Sequence, residues 1–65
     1  MFAQRLHELR KEHNISQIQV AKALFVSVQR ISDWENGKSE CSFENLKALA
    51  KFFGVSADYL LGLEN

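Results

Sequence analysis

Residues 15–38 read ISQIQVAKALFVSVQRISDWENGK, and the spacing of serine, glutamine and aliphatic residues in this stretch settles two helices and the bend between them. Ser16 followed by Gln19 is a capping box, in which each side chain satisfies a backbone donor of the other residue, and Ile15 with Val20 makes a hydrophobic staple across the same helix start. A helix therefore begins at Gln17. Its apolar residues Val20, Ala21 and Leu24 keep the helical period. Ser27 caps the next helix, stapled by Val26 and Ile31, which is expected to run from Val28 to about Asn36 before Gly37 supplies the positive φ of a helix end. Only Phe25, Val26 and Ser27 separate the two helices. A connection that short makes them cross steeply rather than lie antiparallel, the geometry of a helix-turn-helix, and Ala21 is small enough to permit the close crossing.

The same punctuation extends outward in both directions. Phe2, Leu6 and Leu9 share one face of a first helix, and Asn14 suits the left-handed residue that closes it. Ser42 caps a fourth helix carrying Phe43, Leu46, Leu49, Ala50 and Phe53, with both Phe52 and Phe53 expected in the core, and Gly54 ends it. Ser56 caps a short fifth helix with Val55 and Leu60 as staple and Asp58 in the favourable first turn, and Gly62 closes it. No alternating run is long enough for a strand. The expected fold is all-α, a compact bundle of five helices without linker or repeat.

Composition narrows the classes of function. Sixty-five residues hold one domain with a small core, and the single cysteine, Cys41, forbids an internal disulfide and is expected to be an inert loop thiol. No apolar segment approaches the ~18 residues of a membrane span and no signal pattern is seen, so a soluble, cytoplasmic chain is expected, with no membrane partner. Eight basic and eight acidic residues cancel to a formal charge of zero, which sits awkwardly with a nucleic-acid partner. No nucleophile, base and orienting group form a recognisable constellation, and so small a core leaves little room for a pocket; an enzyme is not expected, nor a cofactor or small-molecule substrate. His7 and His13, six residues apart, do not share a helical face as metal ligands, and both are read as surface histidines.

From Leu6 in RLHELRKEHNISQIQVAKAL, through FVSVQRISDWENGKSE, to Leu60 in SFENLKALAKFFGVSADYLLG, the chain resembles the phage-repressor and Cro type of helix-turn-helix, the XRE family. The resemblance implies a lambda-repressor-like DNA-binding domain over 6–60, its motif at about 17–36, with 61–65 as the C-terminal end. It further implies a sequence-specific transcriptional regulator, expected to be a repressor, that places helix 28–36 in the major groove of double-stranded DNA. Ser27, Val28, Gln29, Arg30, Ser32 and Asp33 are then the candidates facing DNA. Gln29 is the expected reader, because its amide pairs bidentately with adenine and its place matches a base-contacting position of the family. Val28 suits a thymine methyl, and Arg30 a phosphate. Gln17, at a helix N-terminus, suits a phosphate oxygen, while Asn36 and Lys38 hold the backbone on the other side. Arg10 and Glu35 resemble a family ion pair joining the first helix to the end of the third.

Several residues have plainer readings. The serines are caps in any helical protein, Trp34 is expected to cover the core edge, and Lys11, Lys22, Lys47 and Lys51 are the ordinary cations of solvated helix faces beside Glu8, Glu12 and Glu44. Two residues depart from the family pattern. Phe25 stands where glycine is usual, and Asp33 puts a carboxylate toward DNA, where it would repel phosphates, accept from cytosine or pair with Arg30. One recognition helix reads too few bases for useful specificity, so a homodimer on a pseudo-palindromic operator is expected, meeting through Tyr59, Leu60, Leu61 and Leu63. The alternative is a protein-interaction module of the same fold, an antitoxin or repressor accessory with weak DNA binding, which the neutral charge and Asp33 favour.

Overall fold

Serine hydroxyls set the starts of four helices. In the computed structural model, which describes residues 1–64, the helices are α1 (Phe2–Glu12), α2 (Gln17–Leu24), α3 (Val28–Glu35), α4 (Phe43–Phe53) and α5 (Ala57–Leu61). Ser16, Ser27, Ser42 and Ser56 each accept from the backbone N–H three residues on, at Gln19, Arg30, Asn45 and Tyr59. The first of these caps is reciprocal, since Gln19 Oε1 accepts from Ser16 N at 2.8 Å. Each cap is worth about 1 kcal/mol, which matters in a domain this small. Asn65, the last residue of the expected C-terminal end 61–65, lies outside the described residues.

The core is built where the apolar periods meet. Leu6 and Leu9 of α1, Val20 and Ala21 of α2, Ile31 and Trp34 of α3, Leu46, Leu49, Ala50 and Phe53 of α4, and Leu60 of α5 form one buried cluster, with Ile15, Val26 and Val55 packed against it from the staples. α3 packs on both α2 and α1, while α4 and α5 support them from the far side through α2 and α1. No buried side-chain polar atom lacks a partner among the described residues. Trp34 goes deeper than the core edge expected for it, with 1 % of its surface exposed.

Two expectations are corrected by this packing. Leu60, expected as a dimer contact, is fully buried within its own domain. The residue that closes a staple points inward by construction, and the Val55–Leu60 staple turns Leu60 toward α1 and α4. Phe52, expected in the core, is 42 % exposed and meets Phe53 in a T-shaped pair, because one residue of helical rotation carries it off the buried face. Helix α3 runs from Val28 to Glu35 with Asn36 as its C-cap, in keeping with the expected end at about Asn36.

The turn between α2 and α3 answers the question raised by Phe25. Phe25 takes the left-handed conformation at φ 59° and ψ 41° where glycine would sit without strain, and its N–H closes on Lys22 O at 3.3 Å. The ring gains nothing in return, since Phe25 is 95 % exposed. The strain in the turn is therefore local and unpaid by burial.

Candidate nucleic-acid interface

Ile31 and Trp34 anchor α3, and the residues between and before them are left outward. Val28, Gln29 and Arg30 are exposed in its first turn, Ser32 and Asp33 are half-buried, and Asn36 and Lys38 are exposed at and after its end. Ser27, also exposed, accepts from Arg30 N through Oγ at 3.2 Å and keeps its hydroxyl hydrogen to donate. The sequence thus brought Ser27, Val28, Gln29, Arg30, Ser32, Asp33, Asn36 and Lys38 onto one helix and its exit. The Lys38 N–H donates to Asp33 O at 2.9 Å, which ties the exit to the last turn.

Two side-chain bonds run along this face at one-turn spacing. Gln29 Nε2 donates to Asp33 Oδ1 at 2.9 Å, and Asn36 Nδ2 donates to Ser32 Oγ at 3.3 Å. Asp33 therefore pairs with Gln29, four residues back, rather than with Arg30, three back; no ion pair joins it to Arg30 among the described residues. Ser27, Gln29, Arg30 and Asp33 line a shallow depression whose other wall is Ser39 and Glu40.

Behind this outward face lies the charge cluster that holds α3 to α1 and α2. Arg10 donates to Glu35 through Nε (2.6 Å to Oε2) and Nη2 (3.0 Å to Oε1), and through Nη1 to Ile15 O at 3.1 Å. The expected ion pair is therefore a two-pronged one, and its arginine also braces the loop before α2. Gln17 Nε2 reaches Glu35 Oε1 at 3.3 Å, so the residue expected at a phosphate also belongs to this cluster, with a second amide hydrogen left for another acceptor. His7 completes it: its Nδ1 lies 2.9 Å from Glu35 Oε1. An ionised carboxylate only accepts, so Nδ1 carries the proton of that bond. Sequence reading left His7 as a plain surface residue. Its signal was the spacing, because His7 and Arg10 stand three apart on one face of α1.

The electrostatics follow from that geometry. Burial alone would raise the Glu35 carboxyl, whose side chain is 3 % exposed, but hydrogen bonds from Arg10, His7 and Gln17 and the charge of Arg10 outweigh it, and the group is held below the usual carboxylate range. The hydrogen bond to Glu35 raises Arg10 in turn, against the opposing cost of burial. Burial pushes the Cys41 thiol up, which disfavours the reactive thiolate.

Comparison with known proteins gives this arrangement a family. The helix-turn-helix family model matches residues 6–60. The chain is 44 % identical over 63 residues to the HTH-type transcriptional activator BcrR of Enterococcus faecalis, covering 97 % of this chain and 31 % of that protein. It is 39 % identical over 61 residues to repressor protein C2 of Salmonella phage P22, covering 94 % and 28 %. The crystal structure of the P22 c2 repressor in complex with a synthetic operator superposes with a TM-score of 0.92 at 38 % identity, over 98 % of this chain and 97 % of that one. The chain spans between 28 % and 56 % of the length of the curated relatives it matches. With the capped helix pair, the Arg10–Glu35 brace and the match from residue 6 to residue 60 in hand, the chain belongs to the helix-turn-helix family of the phage-repressor, or XRE, type.

Proposed function

We propose that this domain is the sequence-specific DNA-binding part of a transcriptional regulator of the repressor type, acting in the cytoplasm by binding and not by catalysis. The observation that carries the reading is the outward first turn of α3, where Val28, Gln29 and Arg30 stand clear of a core held by Ile31 and Trp34. An α-helix presented in this way fits the major groove, with its N-terminal side chains at base edges. The relative solved with a synthetic operator supports the DNA partner. Gln29 reads, Val28 offers an apolar contact, and Ser27, Ser32 and Arg30 supply polar contacts to bases or phosphates. Gln17, Asn36 and Lys38 position the backbone from both ends of the motif.

Glu35 is paired with Arg10 inside the domain, which removes one charge of each sign and leaves the formal balance at zero. In the depression beside α3, Arg30 stands with Asp33 and Glu40 as the nearby acids. A homodimer on a pseudo-palindromic operator is part of the same reading. Leu61 is 43 % and Leu63 72 % exposed, whereas the Tyr59 ring is covered by the Arg5 guanidinium at 4.3 Å. Phe43, 83 % exposed, borders the same hollow as Leu61 and adds apolar surface there.

Selection of bound sequences from a random duplex library tests the proposal, followed by titration at two salt concentrations. A shared motif bound more tightly than its scrambled version, with affinity falling steeply with salt, is the expected result. Recovery of no motif, together with salt-insensitive binding, would favour the protein-interaction reading that the neutral charge suggests.

A further inference from the structure

We propose that Asp33 is a positioning residue for base reading: by accepting from Gln29 Nε2 it fixes the Gln29 amide so that the pair selects adenine over guanine. This rests on the DNA-reading function proposed above. A free glutamine on a helix surface samples several rotamers and both orientations of its amide, and bidentate recognition requires one of each. Asp33 lies one helical turn after Gln29, with its Oδ1 2.9 Å from Gln29 Nε2. A carboxylate can only accept, so the amide nitrogen must be the atom facing it, and the orientation of the amide follows. Asp33 is itself well held. It is half-buried beside the fully buried Trp34, and its own carbonyl accepts from Lys38 N at 2.9 Å.

Counting donors gives the selectivity. The Gln29 amide has two N–H donors and one acceptor, and Asp33 consumes one donor. One donor and one acceptor remain, the complement of adenine N7 and N6–H in the major groove. Guanine shows two acceptors there, N7 and O6. The remaining single donor serves one of them, while Gln29 Oε1 and the carboxylate oppose the other. A glutamine without Asp33 keeps both donors and loses that bias.

The test is fluorescence anisotropy on the duplex selected by the wild-type domain and on versions with A·T replaced by G·C at each position. Five proteins are compared: wild type, Gln29→Ala, Asp33→Ala, Asp33→Asn and the double alanine variant. Wild type should prefer A·T at one position, and Gln29→Ala should abolish that preference. Asp33→Ala should lower it at the same position by about 2- to 10-fold, the cost of ordering one flexible side chain at the interface. Asp33→Asn should restore most of it, because an amide oxygen still accepts from Gln29 although the charge is gone. In the Gln29→Ala background, Asp33→Ala should change nothing further at that position. The pairing is overturned if Asp33→Asn and Asp33→Ala lose the preference equally, if Asp33→Ala relaxes a different base pair additively with Gln29→Ala, or if it shifts all duplexes alike. Those failures leave DNA reading intact, whereas a wild-type domain with no preference at any position overturns both.

Discussion

Phe25 and Gln29 lie four residues apart and illustrate two kinds of exposed residue. The backbone at Phe25 is left-handed and its ring lies in solvent. A bulky residue in that region costs about 1–2 kcal/mol, against about 0.5–1 kcal/mol for the greater freedom glycine has in the unfolded chain. Phe25→Gly is therefore expected to stabilise the domain by about 0.5–1 kcal/mol, read as a higher denaturation midpoint with unchanged slope. A loss of stability would show that the ring makes a contact worth more than the strain. At Gln29 the consequence lies in binding instead. Gln29→Ala should cost about 1–3 kcal/mol on the selected site and relax one base position, while Lys38→Ala should weaken all duplexes nearly alike and flatten the salt dependence. Equal losses on specific and random DNA for Gln29→Ala would remove it as the reader. These residue-level roles were only partly legible in the sequence. The four-residue spacing of Gln29 and Asp33 was there to be seen, but an acid on a helix facing DNA suggested repulsion of phosphates first, then a bond from cytosine or a pair with Arg30. Which neighbour wins depends on rotamers that spacing alone does not give.

At the scale of elements, the capped helices and the short turn were legible because each boundary is written in a local chemical rule. Serine three residues before a backbone donor, an apolar pair across it and a left-handed residue at the end need no knowledge of the rest of the chain. What was less legible needed three elements at once. The Glu35 cluster joins His7 and Arg10 of α1, Gln17 of α2 and the last residue of α3, and only the Arg10 part followed from family resemblance. Phe52 and Leu60 fail for the same reason: a helix period marks a face, but the neighbours decide which apolar residues at its margins are covered. The cluster has a pH consequence. Glu35 is held below its ordinary value in the folded state, so its contribution is complete above the unfolded carboxylate value, about 4.3, and is lost as pH falls from there through the lower folded value. Glu35→Ala should cost about 2–3 kcal/mol at neutral pH, less than a fully stranded buried ion because Arg10 can turn toward water. The difference between wild type and Glu35→Ala should shrink below pH 4, and a difference that stays constant down to pH 2 would contradict the depressed carboxyl.

The domain formed by the described residues is small, 28 × 23 × 19 Å, and its stability and proposed function draw on the same few residues. Trp34 is among the largest fully buried side chains of the core and is also the inner anchor of α3, so its truncation should be felt twice. Trp34→Phe should retain the fold at a cost of a few kcal/mol, whereas Trp34→Ala, at about 3–5 kcal/mol, should leave a domain of this size largely unfolded. The proposed dimer belongs to this scale as well. Leu61→Glu should reduce occupancy of a two-half-site duplex while leaving the affinity for a single half-site nearly unchanged, because Leu61 lies on α5, outside the face built by α2 and α3. Equal loss on both duplexes would place Leu61 in the fold or the DNA face rather than between copies. The claim on which these expectations depend is that α3 reads base edges. Anisotropy titrations of the wild-type domain on its selected duplex and on a scrambled duplex, at about 50 and about 200 mM salt, test it most directly. Both affinities should fall steeply with salt while the selected duplex stays about 10³-fold tighter. Equal affinity for the two duplexes, or no binding to either at the lower salt, would contradict it.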